Sequence, residues 1–424
     1  MKRIVSLLLS LVILISSLLC AFSASAAVYQ PDVELYSKAY MLINLDDANY
    51  PVVAQKNQDE KMYPASLTKI VTAMVTLNNV ADLQESVTVS KAAFDVLLGT
   101  GAQVAGLKVG DTLTVEELLY LTMVHSACDA TEVLAEYVGG TRENFVKMMN
   151  DYAASLGCTG TNFVNPDGLH DENHYTTASD MAKISLNALQ NSTFVKIAET
   201  VQYKYNGMNF YHTNLMLRSG YVSYYYKYAK GIKTGSTEEA GYCVVTTASK
   251  DGYKEKCSFI DAATLFDWAF TSLKYSTVAE KNEVIDEVPV KNGKNADSVR
   301  LVAKNDVTTI VPNGLDKSNI IVETKEKPES ISAPVKQGDS VCTADIIYGG
   351  QVIAQVELVA SQDVELSTFL KVINAVKGFF SLTVVKIIIL ALFLCAVGYV
   401  AAVINSSNRK RARRRAREQD NNED

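Results

Sequence analysis

Ile387 to Ile404 contains no charged side chain, and seven Lys and Arg residues crowd the stretch from Arg409 to Arg417 just beyond it. A helix of about 20 apolar residues crosses the roughly 30 Å hydrocarbon core of a bilayer. With Phe379 to Val385 upstream, this segment is long enough to do so. Cations massed directly after a span stay on the cytoplasmic side. The sequence therefore predicts a transmembrane helix over 387–404 and a basic cytoplasmic tail over 405–424. The main body would then stand on the extracytoplasmic face of the cytoplasmic membrane. A nucleic-acid-binding role for the basic run is the weaker reading, because the run follows the span directly.

The other end is also apolar. Lys2 and Arg3 precede an almost unbroken apolar run from Ile4 to Leu19, and Ala24-Ser25-Ala26 follows. That order predicts a signal peptide over 1–26, cleaved after Ala26. Lipid attachment at Cys20 fits less well, since bulky Leu18 and Leu19 precede it. The whole chain carries −7, but with the tail's +3 and the +2 of the first three residues set aside, residues 4–404 carry −12. An exported body this acidic is a poor candidate for binding nucleic acid or another polyanion by charge alone. Seven cysteines are scattered without C-x-x-C spacing, and the five in the exported part are an odd number. This argues against a disulfide framework and a zinc ribbon, and for buried thiols acting as small hydrophobes.

At 424 residues, 48% of them apolar, the chain can bury the cores of two or three domains. Residues 27–275 read as one mixed α/β domain. Strands are expected at Ala39–Leu45 and Pro51–Ala54, around the turn Asp46-Asp47-Ala48-Asn49. Helical pattern follows Pro64, and capping signals start further helices at Thr114, with Glu117 closing a capping box, and at Thr177. Gly241–Ala248 reads as a buried strand, and Phe259–Leu273 as a closing helix with the single tryptophan, Trp268. From 276 to 363 the pattern changes to short β runs: Val284–Val290, Val299–Ala303, Val307–Val311, Asn319–Thr324, Val341–Tyr348 and Gln351–Ala360. Gly349-Gly350 is the expected hairpin turn of a small all-β sandwich. Residues 364–386 place Leu366, Phe369, Leu370, Ile373 and Val376 at helical spacing, as a juxtamembrane amphipathic segment or an extension of the anchor helix.

Three short motifs stand in order: Ser66-Leu67-Thr68-Lys69, Ser126-Ala127-Cys128 and Lys233-Thr234-Gly235. Residues three apart on a helix share a face, so the Lys69 ammonium can reach the Ser66 hydroxyl. Pro64 suits the first turn and sets Ser66 near the positive helix end, where developing negative charge is stabilised. A serine needs a base to become a nucleophile. A lysine serves as one where burial and a neighbouring cation favour its neutral form, and Lys233 is the candidate neighbour. Taken alone, Ser66 would be an ordinary helix-start serine beside a solvated lysine; the other two motifs make the acyl-transfer reading. His170 and His174 have a zinc-like spacing, but Pro166 and Gly168 argue for a loop. No G-x-S-x-G elbow and no P-loop motif is present. The tyrosines of Tyr221–Tyr228 wall a cleft or simply belong to core and surface.

The motifs and their surroundings resemble the penicillin-recognising serine-type D-alanyl-D-alanine carboxypeptidases, the low-molecular-mass penicillin-binding proteins. The likeness runs through Tyr63–Lys69, Leu113–Leu119, Asn165–His170, Tyr175–Ala178 and Gly231–Thr237, and covers roughly residues 28–365. It implies a β-lactamase/transpeptidase-like α/β (α+β) domain, with a central antiparallel sheet flanked by helices, then the β-sandwich domain. It implies a serine D,D-carboxypeptidase of cell-wall biogenesis, trimming peptidoglycan stem peptides that end in D-Ala-D-Ala and acylated by β-lactam antibiotics, with no metal or other cofactor. By position, Ser66 is the implied nucleophile, Lys69 its base and Ser126 a proton relay to the leaving amine. Lys233 and Thr234 would hold the substrate carboxylate. Gly235 and Ser236 continue that motif, and the backbone N–H groups of Ser66 and Ser236 would form the oxyanion hole. The β domain would act as a spacer or partner surface. Cys128 departs from the pattern, which usually has asparagine there. An amide donates and accepts at once, whereas a thiol does both weakly, so altered substrate handling is expected. A serine β-lactamase and a non-catalytic wall-binding protein decayed at Cys128 are the alternatives.

Overall fold

In the computed structural model, which describes residues 28–46, 51–250, 253–256, 259–381 and 383–420, the first elements are two antiparallel strands. They are β1 (Tyr40–Ile43) and β2 (Val52–Lys56), where sequence alternation places them. The expected signal peptide and all but Asp46 of the turn between these strands lie outside the described residues.

Helix α1 (Thr68–Asn79) follows a short 3-10 turn, Ala65–Leu67. Every residue from Thr68 to Thr76 is buried, so α1 has no polar face. Its threonines tolerate this because their hydroxyls donate to carbonyls: Thr68 to Ala65 (2.8 Å), Thr72 to Pro166 (2.5 Å) and Thr76 to Thr72 (2.9 Å). Helices α2 (Val115–Val124), α3 (Cys128–Gly139), α4 (Arg142–Ser155) and α5 (Ala178–Ala188) follow. The capping box of α2 forms in both directions, with Glu117 N–H donating to Thr114 Oγ1 and Thr114 N–H to Glu117 Oε2. Thr177 caps α5 by accepting from Asp180 N–H.

Strands β3 (Ala229–Thr237), β4 (Gly241–Lys250) and β5 (Tyr253–Lys256) form an antiparallel sheet with β4 in the middle, so β3 is an edge strand. Burial of β4 is confined to Val245–Ala248; its start is exposed, with Tyr242 91% accessible. Helix α6 (Phe259–Ser272) packs Leu265, Phe266 and Trp268 against Leu42, Val53, Ala54, Ala229 and Ala248. On the other face, Ile232 and Val245 join the core of α1 to α4 through Ile70, Met74, Leu118, Leu134 and Phe145. A sheet with helices on both faces results, with the β3 edge available next to α1.

Compactness divides the chain after Val278, with 308–321 and 346–354 grouped into the first unit. Beyond that point a six-stranded sheet has the order Ile321–Lys325, Ser340–Tyr348, Gln351–Ala360, Ser298–Ala303, Val284–Lys291, Ile331–Ser332. Gly349 and Gly350 form its hairpin turn, both at positive φ. Val307–Pro312 pairs instead with Leu273–Ala279. Thr368–Ser381 is helical with Phe369 and Val372 exposed, and a last helix runs Thr383–Asp420. Within it, Ile387–Arg411 is long and apolar enough to cross a membrane. At 1.5 Å per residue that segment measures about 37 Å. Among the described residues the cysteines are free thiols; Cys128 and Cys158 are buried, Cys243 and Cys342 half-buried and Cys395 exposed.

Removing the reciprocal cap of α2 tests this reading of the helix start. Thr114→Ala is expected to cost about 1 kcal/mol and lower the midpoint of thermal unfolding by a few degrees. An unchanged midpoint would show that tertiary packing alone fixes the start of α2.

Candidate active site

Ser66 lies in the turn that leads into α1, and Lys69 is the second residue of the helix proper. Lys69 has no exposed surface, which a lysine accepts only when its donors are matched. Its Nζ donates to Ser66 Oγ at 3.0 Å, Asp167 O at 2.5 Å and Cys128 Sγ at 3.4 Å. Asp167 O can only accept, whereas the Ser66 hydroxyl can also donate to Nζ when Lys69 serves as a base. Burial pushes the Cys128 thiol up, against the opposing pull of Lys69.

Ser126 and Cys128 sit where α2 gives way to α3. Ser126 has φ +64°, a left-handed conformation unusual for a residue with a Cβ. Asp129 holds this corner in place, accepting from the backbone N–H groups of Ala105, Gly106 and Leu107, each at 2.9 Å. Lys233 arrives from β3 and is also fully buried. Its Nζ donates to Ser126 Oγ at 2.9 Å and Thr234 O at 2.8 Å. Burial, followed by the positive charge of Lys69, holds Lys233 well below the usual lysine range. Thr234 Oγ1 lies 2.7 Å from Thr213 Oγ1. Gly235 shows why that motif ends in glycine: a Cβ there would stand 2.9 Å from Ser66 N and 3.0 Å from Pro64 O. Ser236 follows, exposed, on the same edge strand. Ser66, Lys69, Cys128 and, through Lys233, Ser126 and Thr234 thus lie around one short stretch of α1 and β3.

The loop Asn165–Leu169 contributes more than its sequence announces. Asn165 Oδ1 accepts from Gly168 N–H at 2.7 Å, and Asn165 Nδ2 donates to Leu169 O at 2.8 Å, which fixes a tight turn. Gly168 has φ +84°, and a Cβ on it would come within 1.9 Å of Ala65 O, so only glycine lets the loop meet the Ser66 turn. His174 completes the support. Val164 N–H donates to His174 Nδ1 at 3.2 Å, so Nε2 carries the proton and faces Thr68 Oγ1 at 2.8 Å, which in turn donates to Ala65 O. The His170–His174 stretch is a loop, and no metal-ligating cluster exists among the described residues. Tyr226 packs on Phe266, whereas Tyr221, Tyr224 and Tyr225 are exposed. Asp167 and Gly168 belong to the Asn165–His170 stretch of family likeness, which assigns them no role, while the site-building His174 and Thr213 lie outside every stretch that carries it.

The His174 contact makes stability pH-dependent. Burial outweighs the nearby Asp167 and Asp171 and lowers His174 from 6.5 to about 4. The unfolded chain therefore takes the proton first as pH falls. Stability is intact above about pH 6.5 and declines toward pH 4, by up to about 3 kcal/mol from this group. Unfolding measured at pH 7 and pH 4.5 is expected to show a smaller acid loss in His174→Gln than in wild type; equal losses would remove His174 from this role.

A profile described as D-alanyl-D-alanine carboxypeptidase matches residues 24–264, and one described as penicillin-binding protein 5, C-terminal domain, matches residues 274–366. The chain is 28% identical over 390 residues to D-alanyl-D-alanine carboxypeptidase DacF of Bacillus subtilis, covering 89% of this chain and 98% of that one. It is 30% identical over 366 residues to D-alanyl-D-alanine carboxypeptidase DacC of Escherichia coli, covering 82% and 89%. The crystal structure of penicillin binding protein 5 from Haemophilus influenzae superposes with a TM-score of 0.60 at 25% identity, over 80% of this chain and all of that one. With the first profile spanning more than half of its length, the chain belongs to the D-alanyl-D-alanine carboxypeptidase family, and it is a serine D,D-carboxypeptidase.

Proposed function

We propose that Ser66 attacks the carbonyl between two D-alanines at the end of a peptidoglycan stem peptide, with Lys69 taking its proton. The separation of 3.0 Å between Lys69 Nζ and Ser66 Oγ carries this reading, since a base must lie within hydrogen-bonding reach of the proton it removes. Ser126, whose hydroxyl accepts from Lys233 Nζ at 2.9 Å, then relays to the leaving D-alanine the proton that Lys69 took, and Lys69 is free to act again as base. Lys233 and Thr234 receive the substrate's terminal carboxylate. Backbone N–H groups of Ser66 and Ser236 stabilise the oxyanion, and such donors are worth roughly a hundredfold or more each. Gly235 supports this by letting β3 come close to the Ser66 turn, and an edge strand leaves backbone groups for an extended peptide to pair with. Cys128 borders the substrate and gives Lys69 a weaker partner than an amide would. Water then releases the acyl group; a penicillin, bound in the same way, leaves slowly.

Residues 1–26 act as signal peptide, 27–275 as catalytic domain, 276–363 as β domain, 364–386 as juxtamembrane segment, 387–404 as single membrane anchor and 405–424 as cytoplasmic tail. The exposed apolar stretch of the last helix and the cations behind it support an anchor with the catalytic domain outside the cytoplasm.

The full-length protein in detergent tests the reaction. Labelled penicillin is expected to form a long-lived adduct, and D-alanine to be released from a peptide ending in D-Ala-D-Ala. Ser66→Ala should lose the adduct entirely and the release by about a thousandfold or more. Rapid loss of label from wild type would indicate a β-lactamase, and no label would indicate a site decayed at Cys128.

A further inference from the structure

The carbonyl of Asp167 that receives Lys69 belongs to a residue whose side chain is only 1% exposed. Asp167 Oδ1 accepts from Leu169 N–H at 2.8 Å, but the buried Oδ2 meets no N–H or hydroxyl donor. An orphaned carboxylate oxygen at such depth is costly. A second carboxyl, Glu132, interacts with that of Asp167 and is likewise buried, 2% exposed and one helical turn beyond Cys128 on α3. Arg142 braces Glu132 from α4, its Nε 3.1 Å and 3.0 Å from the two carboxyl oxygens. Two buried carboxyls in contact do not both ionise readily. A proton on Glu132 removes the repulsion and supplies the donor that Asp167 Oδ2 lacks.

We propose that Glu132 is a positioning residue, a neutral acid that donates its proton to Asp167 and thereby holds the Asp167 carbonyl against Lys69. The chain of contacts runs Arg142, Glu132, Asp167, Lys69, Ser66, and Glu132 itself touches no substrate. Burial first, then the charge of Asp167, pushes Glu132 up to about 8, against the pull of Arg142. The titratable and charged groups around this cluster are Lys69 on α1, Cys128 on α3, Arg142 on α4, Asp167 and His174 on the loop side and Lys233 on β3. His174 is neutral at the pH in question, so it supplies no charge to the pair. As pH rises through about 8, Glu132 ionises, the two carboxylates repel and the Asp167 carbonyl loses its register with Lys69.

The inference rests on Lys69 serving Ser66, and its test separates the two. D-Alanine release and the rate of penicillin acylation are measured on the full-length protein in detergent from pH 6 to 10. The wild type is expected to lose activity on the alkaline side near pH 8. Glu132→Gln, which keeps a neutral N–H donor to Asp167, should retain the neutral-pH rate within about threefold and move the alkaline loss upward by about one pH unit or more. Glu132→Ala should lower kcat by about ten- to a hundredfold with little change in KM, because the base is misplaced while substrate contacts remain. An alkaline loss unchanged in Glu132→Gln, or a wild-type kcat in Glu132→Ala, overturns the proposal. Should Glu132→Ala fail to fold, the Glu132→Gln profile decides alone. A wild type that forms no adduct overturns the reading of Ser66 and this inference with it; an active wild type with an unmoved profile overturns this inference only.

Discussion

Three hydrogen bonds from one buried nitrogen tie the proposed active site together. Lys69 Nζ donates to Ser66 Oγ, Cys128 Sγ and Asp167 O, and these acceptors come from the turn before α1, the start of α3 and the Asn165–Leu169 loop. A lysine with no exposed surface remains in place only while every donor is matched, so the three segments are held to one another through a single side chain. The thiol at 128 is the weakest of the three acceptors. It leaves Lys69 more dependent on Asp167 than an amide at that position would.

Strain is concentrated around the same nitrogen. Ala65 has φ +47° and Ser126 φ +64°, conformations that cost side-chain-bearing residues of order 1–3 kcal/mol each. Both lie in or beside the proposed site, and both are held by surroundings that leave little alternative. The Ala65 carbonyl accepts from Thr68 Oγ1, which His174 faces, and it lies against Gly168, where no side chain would fit. Ser126 receives Lys233 Nζ while Asp129 pins the adjoining loop. The surrounding fold thereby fixes Ser66 in place, and in its proposed role as nucleophile little of the barrier need go into orienting it.

Local chemistry made much of this legible. The three-residue step from Ser66 to Lys69 follows from helical geometry, and both halves of the Thr114–Glu117 cap are written within four residues. The Gly349-Gly350 turn and the α6 tryptophan follow from equally short patterns. Contacts between distant segments left no such trace. Nothing near Asp167 signals that its carbonyl meets a lysine 98 positions away, and nothing near His174 signals that its ring faces Thr68. Val307–Val311 has the pattern of a strand in the β domain, yet it pairs with Leu273–Ala279, because alternation specifies a strand and not its neighbour. For β4 the apolar run predicts burial throughout, whereas its first residues extend past the sheet's covered area, leaving Tyr242 exposed.

In its proposed role Lys69 acts on Ser66 as a base and not merely as a nearby charge. The second-order rate of Ser66 acylation by penicillin in Lys69→Arg tests it most directly, because arginine keeps the charge and cannot give up its proton near neutral pH. With thermal unfolding confirming an intact fold, that rate is expected to fall by about a thousandfold or more from wild type. Acylation within a few-fold of wild type would contradict the assignment of Lys69 as the base.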